Sequence, residues 1–331
     1  MQRRLPLALL SAAALVCVQP RTAAALVIAK TYAASLSTSA KAVIDTAIAF
    51  YQTAYSDPIT VTIEFHDMGS GLGQSDTFET SLSYAQYRAA LLADATSAND
   101  LTALANTAGG INNPVNGSMS ITLKTANARA VGLSGAVGTF IDPLSGCLGY
   151  SGDSCIGLNL SNTNDTQRGF SSGSSLITVV EHEINEALGL GSTLTGTTVP
   201  INPAPEDLFR WASTGTRSFN TNACNGEPAA YFSIDGGATN LNGFNNCANG
   251  ADYGDWVTHT PTQIQDAITN GTSAPFMTTA LPESVALDVI GYTLAGSRAI
   301  PEPASLALLT VGLLGLRHVR RRRADTSAPG D

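Results

Sequence analysis

The stretch SSLITVVEHEINEALG, residues 174–189, has the pattern of a single amphipathic helix. The serines at its start are suited to cap the first turn, and Gly189 is suited to end the last one. Apolar residues recur at helical spacing and are expected to form one buried stripe, which consists of Ile177, Val180, Ile184 and Leu188. The stretch therefore predicts a helix that packs against a core along one side.

His182 and Glu186 lie four residues apart, away from the apolar stripe. Side chains at this spacing stack one turn apart on a helix, so a metal ion could bridge the imidazole and the carboxylate. The same short string also occurs on ordinary helix surfaces, where the two side chains form only an i, i+4 pair. The string alone leaves both alternatives open.

The helix resembles the active-site helix of the zincin metalloproteases, and more narrowly the metzincin pattern His-Glu-x-x-His-x-x-Gly-x-x-His. His182, Glu183 and Gly189 match this pattern, whereas Glu186 replaces its second histidine and Ser192 its third. A carboxylate is an accepted zinc ligand, but a neutral hydroxyl is a poor one. The resemblance thus implies a metal site whose third ligand comes from elsewhere in the chain.

Much of the second half of the chain adds to this resemblance. Met277 stands where a methionine turn would lie under a metzincin metal, and residues 286–292 look like the C-terminal helix of the family. Three further segments are together similar to a group of candidate metalloproteases, namely DLFR (207–210), YFSIDGG (231–237) and DYGDW (252–256). The resemblance implies an α+β fold with a zincin-like mixed sheet, an active-site helix and a loop-rich C-terminal half.

The resemblance also implies roles for individual residues. His182 and Glu186 are expected to bind zinc, with Asp207 as the third ligand and His259 as the competing candidate. Glu183 is expected to act as general base on a water molecule whose pKa the metal lowers. The implied activity is that of a zinc-dependent endopeptidase acting on protein or peptide substrates. Three tyrosines are candidates for stabilising the oxyanion, and the sequence does not choose among Tyr231, Tyr253 and Tyr292.

Two non-catalytic alternatives remain open. The chain could be an inactive zincin-like protein of an extracellular matrix or adhesion layer, because it lacks two histidine ligands of the pattern. It could also bind calcium through the Asn and Asp residues between positions 245 and 255, since these side chains offer oxygen ligands. Calcium is therefore a second candidate cofactor beside zinc, although an Asn- and Gly-rich loop also forms without an ion.

The N-terminal end has the layout of a secretory signal peptide. Arg3 and Arg4 precede an apolar stretch, which is followed by small residues up to Ala25. The apolar stretch is shorter than the roughly 20 residues that a membrane-spanning helix needs. We expect cleavage near Ala25, so that residues 1–25 form the signal peptide.

The C-terminal end carries the triplet Pro301-Glu302-Pro303, an apolar run over residues 304–316 and four arginines at residues 320–323. This order resembles the PEP-CTERM sorting signal of Gram-negative envelope proteins, which the similar candidate metalloproteases also carry. We assign residues 298–331 to this signal and residues 26–297 to the zincin-like catalytic domain. A single-pass anchor is the alternative, but the apolar run is short for that.

The sorting signal implies a partner and a destination. A membrane protease is expected to process the tail, so that contact with the membrane is transient. The protein is then expected to be secreted and retained at the cell envelope or in the extracellular matrix of a Gram-negative bacterium. Nucleic acid is not an expected partner, because the formal net charge of the chain is −9 and most of its arginines lie in the two ends.

Export also bears on the cysteines, because disulfides persist in oxidising compartments. We predict the local pairs Cys147–Cys155 and Cys224–Cys247, since short loops are easy to close. Binding of a metal by thiolates is the rival interpretation, but the chain contains no C-x-x-C motif.

Ahead of the helix, alternating apolar residues predict strands over 59–65 and 119–123, with a third around 139–141. Helical spacing between residues 83 and 106 predicts one or two helices with a break near Ser97. After residue 190 the composition shifts to Gly, Asn, Thr, Ser and Pro, which predicts loops and short elements.

Overall fold

A computed structural model describes residues 25–141, 146–164, 174–195, 199–223, 229–270 and 274–297. The predicted sorting signal and all but the last residue of the predicted signal peptide lie outside the described residues. In the described ranges, no helix combines the length and the apolarity that crossing a membrane requires.

Helices and strands alternate irregularly along the described chain. Its first half contains β1 (Val27–Tyr32), α1 (Thr38–Ala54), β2 (Thr60–Asp67), β3 (Gly73–Thr77), β4 (Glu79–Ser83), α2 (Tyr84–Asp94), α3 (Ala98–Asn106), β5 (Ser120–Lys124), α4 (Thr125–Ala130), β6 (Gly138–Thr139), β7 (Ser151–Gly152), β8 (Ser154–Leu158), β9 (Thr163–Asn164) and β10 (Ser174–Ser175). The second half contains α5 (Leu176–Leu188), a 3-10 helix (Pro205–Phe209), β11 (Arg210–Ser213), β12 (Thr216–Arg217), β13 (Tyr231–Phe232), β14 (Asn242–Gly243) and α6 (Pro282–Val289). The predicted α+β class is confirmed.

The central sheet has four strands in the order β1-β2-β8-β3. Strands β1, β2 and β8 are parallel, and β3 pairs antiparallel with β8 at the edge. Val61, Ile63 and Phe65 of β2 are fully buried, which confirms the strand predicted there. The sequence of β3 is Gly-Gln-Ser-Asp-Thr, so main-chain pairing with the buried strand β8, rather than an apolar face, holds β3 in place.

Smaller sheets surround this centre, with the strand orders β4-β5, β6-β7, β9-β10 and β12-β11-β13-β14. The strand predicted over residues 119–123 is β5, and the predicted helical region is the pair α2 and α3. Ser97 separates these two helices, because its hydroxyl accepts from the N–H of Asp100 while the Asp100 carboxylate accepts from the N–H of Ser97. The predicted break near Ser97 is therefore confirmed as a capping box.

Helix α5 confirms the prediction made for residues 174–189. All four residues of its apolar stripe are at most 1 % exposed. Gly189 ends the helix with a φ of 146°, in the region that favours glycine. On its inner side α5 packs against α1, where the hydroxyl of Tyr51 lies 2.8 Å from both the carbonyl oxygen of Glu181 and Oδ1 of Asn185. The helix also packs against β3 and β8, so one side of α5 is held against the edge of the central sheet.

Cys147 and Cys155 form a disulfide with a Cα–Cα distance of 6.2 Å, as predicted. Cys247 is also disulfide-bonded. Its predicted partner Cys224 lies outside the described residues.

Candidate functional site

A cleft of about 450 Å³ lies between helix α5, the edge strand β3 and the loops that contain residues 251–255 and 262–269. His182, Glu183 and Glu186 of the helix all line this cleft. The structure therefore brings the three helix residues of the predicted site to one concave surface.

Three side chains with metal-binding atoms converge in the cleft. Nε2 of His182 lies 3.6 Å from Oε1 of Glu186 and 3.5 Å from Oδ1 of Asp255. The potential ligand atoms of these three residues all lie within 4.8 Å of one another. One imidazole nitrogen and two carboxylate oxygens are donors that zinc accepts, so this set fits a divalent metal ion.

The second ring nitrogen of His182 is held by the backbone. Nδ1 lies 2.9 Å from the carbonyl oxygen of Ile264, to which it donates a hydrogen bond. In the neutral imidazole this leaves the lone pair on Nε2, the atom that faces Glu186 and Asp255. Metal-binding histidines usually donate their other N–H to an oxygen that fixes the orientation of the ring, and His182 has such a partner.

Asp255 is held by a chain of buried amide side chains. Nε2 of Gln265 donates to Oδ1 of Asp255 at 2.9 Å, and Oε1 of Gln265 accepts from Nδ2 of Asn185 at 3.1 Å. Asn185 lies on α5 and contacts Tyr51 of α1. The carboxylate of Asp255 is thereby oriented from the interior of the protein, which is the arrangement that preorganises a binding site.

Glu186 is held from the opposite side of the cleft. The hydroxyl of Ser75 on β3 donates to Oε2 of Glu186 at 2.6 Å, while Oε1 of Glu186 faces His182. Burial would raise the pKa of Glu186, but the hydrogen bond with His182 and the charge of that residue lower it well below its usual value. Glu186 is therefore ionised at neutral pH.

The pKa of His182 shifts in the complementary direction. Burial would lower it, but the negative charges of Asp255, Glu186 and Glu183 raise it well above its usual value. In the protein chain alone, His182 is thus the positive partner of the carboxylates around it. A divalent cation bound by the same side chains would supply this positive charge instead of a protonated His182.

Glu183 is buried beside β3, with 5 % of its surface exposed. Burial, and next the charge of Glu186, raise the pKa of Glu183 well above its usual value. Gly73 of β3 approaches so closely that a Cβ there would overlap with Oε1 of Glu183 and lie 2.6 Å from Cγ1 of Val179. The position of Glu183 therefore depends on Gly73, because a larger residue there would displace the Glu183 carboxylate.

The structure does not bring the expected third ligand, Asp207, into this cluster. Its carboxylate accepts hydrogen bonds from the Ser192 hydroxyl at 2.5 Å, the Ala204 N–H at 2.9 Å and the Thr193 hydroxyl at 3.2 Å. These donors belong to the loop between α5 and the 3-10 helix, so Asp207 stabilises that loop. The competing candidate His259 is paired instead with Asp266, at 2.7 Å between Nδ1 and Oδ1.

Asp255, and not Asp207, lies beside His182 and Glu186. A close approach of two loops explains why, because a Cβ at Gly254 would lie 2.5 Å from both the Cα of Gly191 and the backbone nitrogen of Ser192. The glycine lets the segment 252–256 pack directly on the turn that follows α5. The motif DYGDW contains both the glycine and the aspartate of this contact, but the sequence alone indicates only a possible calcium loop there.

The remaining predicted residues have other surroundings. Met277 is buried in the main hydrophobic core, and its role as a methionine turn stays a prediction. Within the described chain, none of the three candidate tyrosines lines the cleft; the Tyr292 hydroxyl, for example, donates to the Leu188 carbonyl at 2.7 Å. In the proposed calcium loop, Nδ2 of Asn245 donates to the Asp252 carbonyl at 2.9 Å, which stabilises the loop without an ion. Calcium binding stays a prediction.

Comparison with known protein families matches residues 299–323 to the PEP-CTERM protein-sorting motif. This match confirms the predicted C-terminal sorting signal and indicates export with sorting to the cell surface or extracellular space of a Gram-negative bacterium. Neither the curated proteins nor the solved structures contain a match to the chain.

Proposed function

We propose that this protein is an exported zinc-dependent endopeptidase whose metal ligands are His182, Glu186 and Asp255. The convergence of these three side chains beside Glu183 in one cleft is the observation that supports the proposal most strongly. Their hydrogen-bonding partners add to it, because Ile264, Ser75 and Gln265 orient one ligand each. Asp255 thus replaces both Asp207 and His259 as the proposed third ligand.

The proposed hydrolysis of a peptide bond needs both a bound metal ion and the Glu183 carboxylate. When bound, zinc would polarise a peptide carbonyl and lower the pKa of a water molecule. The Glu183 carboxylate would accept a proton from the attacking water and return it to the amine that leaves. Burial of Glu183 supports this role, because burial raises the pKa of the carboxylate and so makes it a stronger base.

The edge strand β3 supports a peptide as the substrate. Gly73, Gln74 and Ser75 of β3 line the cleft. In the described part of the central sheet, β3 is an edge strand that pairs with β8 along one side and leaves its other side unpaired. An extended peptide can add to such an edge through main-chain hydrogen bonds. A substrate chain bound in this way would run past Glu183 and the metal ligands.

The sorting motif supports the location of this activity. After a membrane protease has processed the tail near Pro301–Pro303, the catalytic domain would act at the cell envelope or in the extracellular matrix. Its protein substrates would be encountered there.

The test is elemental analysis of the full chain, purified without added metal, combined with hydrolysis of fluorescently labelled casein. We expect about one zinc per chain, loss of zinc in Glu186→Ala, and retention of zinc with loss of hydrolysis in Glu183→Gln. The exposed residue Glu79 provides a matched control, because Glu79→Gln removes a charge on β4 and should change neither readout.

Each readout can overturn the proposal. Absence of metal from the unaltered chain, also after incubation with zinc, would identify an inactive scaffold of the extracellular matrix. Zinc binding that survives Glu186→Ala would place the metal elsewhere. Hydrolysis that survives Glu183→Gln would remove Glu183 from the mechanism.

A further inference from the structure

A second cleft, of about 800 Å³, lies on another part of the molecule and shares no lining residue with the first. It is formed by helices α2 and α3 with the residues that follow α3, and by the hairpin of β11 and β12. The side chains that matter here are Arg88 of α2, Trp211 of β11 and Arg217 of β12. Two of the few basic residues in an acidic protein thus line one concave surface.

Arg88 is held by the C-terminal end of α3. Its Nη2 donates to the carbonyl oxygens of Leu104 at 2.9 Å and Thr107 at 3.2 Å, and its Nε also reaches Thr107. Among the described residues, Nη1 of Arg88 makes no hydrogen bond to a carbonyl or carboxylate oxygen, although the guanidinium lies next to the Tyr84 hydroxyl. The guanidinium is therefore fixed in orientation with one of its nitrogens still able to donate.

Arg217 is fixed in a different way. Its Nη1 donates to the Leu208 carbonyl at 2.5 Å, and its guanidinium lies over the Trp211 ring at 4.1 Å from the centroid. In the described ranges, Nε and Nη2 of Arg217 have no partner. These two N–H groups form the side-on edge of the guanidinium, which matches two oxygens of a planar carboxylate or of a phosphate.

Neither arginine has a carboxylate partner among the described residues, where the ion pairs involve other side chains. Burial lowers the pKa of Arg217 to about 10. Both arginines lie near Tyr84, because burial raises the pKa of the Tyr84 hydroxyl while the positive charges of Arg88 and Arg217 oppose that shift. A partly desolvated positive charge without a counter-ion favours an anion at this place.

We propose that this second cleft binds a small ligand through an oxyanion group, either a carboxylate or a phosphate, held between Arg217 and Arg88. The free edge of Arg217 would donate hydrogen bonds to two oxygens of the group, and Nη1 of Arg88 would donate to it as well. The volume of the cleft leaves room for a body of monosaccharide size next to the oxyanion. This site does not depend on the metal ligands of the first cleft.

The test is isothermal titration calorimetry of the full chain with two probes, D-glucuronate for a carboxylate and inorganic phosphate. EDTA is present, so that neither probe binds through a metal ion, and ionic strength is matched with chloride. We expect saturable 1:1 binding of at least one probe, and the probe that binds identifies the oxyanion. Arg217→Lys keeps the charge but loses the planar edge, so the affinity should fall at least tenfold.

Arg88→Lys should also weaken binding at least tenfold, and it decides the outcome if Arg217→Lys lowers the melting temperature too far for titration. Lys41→Gln removes a positive charge from helix α1 and should leave the affinity unchanged. Absence of saturable binding for both probes would overturn the proposal. Binding that is unchanged in the folded arginine variants, or equally weakened by Lys41→Gln, would overturn it as well.

Discussion

Nε2 of His182 lies 3.5 Å from Oδ1 of Asp255, although the two residues belong to a helix and to a distant loop. Main-chain and side-chain contacts hold both partners, since the Ile264 carbonyl fixes the ring and Gln265 fixes the carboxylate. Both fixing groups come from the same short segment. One loop therefore sets the relative position of two proposed ligands.

The first prediction separates Asp255 from Asp207 as the third ligand. Asp255→Asn should lower the zinc content of the purified chain from about one per molecule to a small fraction, because an amide oxygen is a weaker zinc ligand than a carboxylate. Asp207→Asn should lower the melting temperature, because it weakens acceptors for Ser192 and Ala204, but it should leave zinc bound. Elemental analysis and thermal denaturation measure both effects.

Loss of zinc in folded Asp207→Asn, with retention in Asp255→Asn, would restore the ligand set expected from the sequence. It would mean that the loop carrying Asp207 rearranges when metal binds. The paired variants therefore distinguish the two ligand sets directly.

The second prediction concerns the amide chain behind the site. Gln265→Leu keeps most of the side-chain volume but removes the donor to Asp255 and the acceptor for Asn185. Loss of such supporting contacts typically costs 10- to 100-fold in metal affinity, so the zinc dissociation constant should rise about tenfold or more. Competition with a chromogenic chelator measures it. An unchanged dissociation constant in the folded variant would show that Asp255 does not need this support.

The third prediction uses two glycines near the start of β3. A Cβ at Gly73 would overlap with Glu183, whereas a Cβ at Gly69 has no atom within 4 Å. Gly73→Ala should therefore displace Glu183 and reduce casein hydrolysis at least tenfold, while zinc content is maintained. Gly69→Ala should keep both. Equal activity of the two variants would contradict the view that the close approach of β3 positions Glu183.

The helical half of the site could be predicted from the sequence because its information is local. The apolar stripe of α5, its terminal glycine and the spacing of His182 and Glu186 all lie within one stretch. Ser97 was predictable for the same reason, since a capping box needs only neighbouring residues. Local patterns therefore predict the helix and two of the three proposed ligands.

The rest of the site depends on contacts between distant segments. Strand β3 has no alternating apolar pattern and forms because β8 pairs with it, so its own sequence does not predict a strand. Asp255 reaches His182 because Gly254 lets two loops touch, which a single sequence does not reveal. Strand β1 and helix α1 are not predicted from the sequence either, although Tyr51 of α1 contacts Glu181 and Asn185 on the inner side of α5.

The last prediction concerns a group of carboxylates away from the cleft. Burial raises the pKa of Asp57, Asp94 and Asp288 to about 7 each, and neighbouring acidic charges add to the shift. Asp288 is fully buried, with Oδ2 accepting from Ser97 and Asn99, while Oδ1 has no hydrogen-bond partner among the described residues. Its ionisation in the folded protein is therefore costly.

An acid whose folded pKa exceeds its unfolded pKa stabilises the fold only while it is protonated. The contribution of Asp288 is complete below about pH 4, the usual unfolded pKa, and is lost as pH rises toward its folded value of about 7.

Asp288→Asn replaces the carboxyl by a neutral group that still accepts from Ser97 and Asn99. With EDTA present, the variant should thus be more stable than the unaltered chain at pH 8 by on the order of 2 kcal/mol, with a smaller difference at pH 5. Chemical denaturation at both pH values measures this, with Glu79→Gln as the exposed control. An equal pH dependence in Asp288→Asn and the unaltered chain would show that Asp288 ionises without cost, and that the pH sensitivity of the fold originates in other carboxylates.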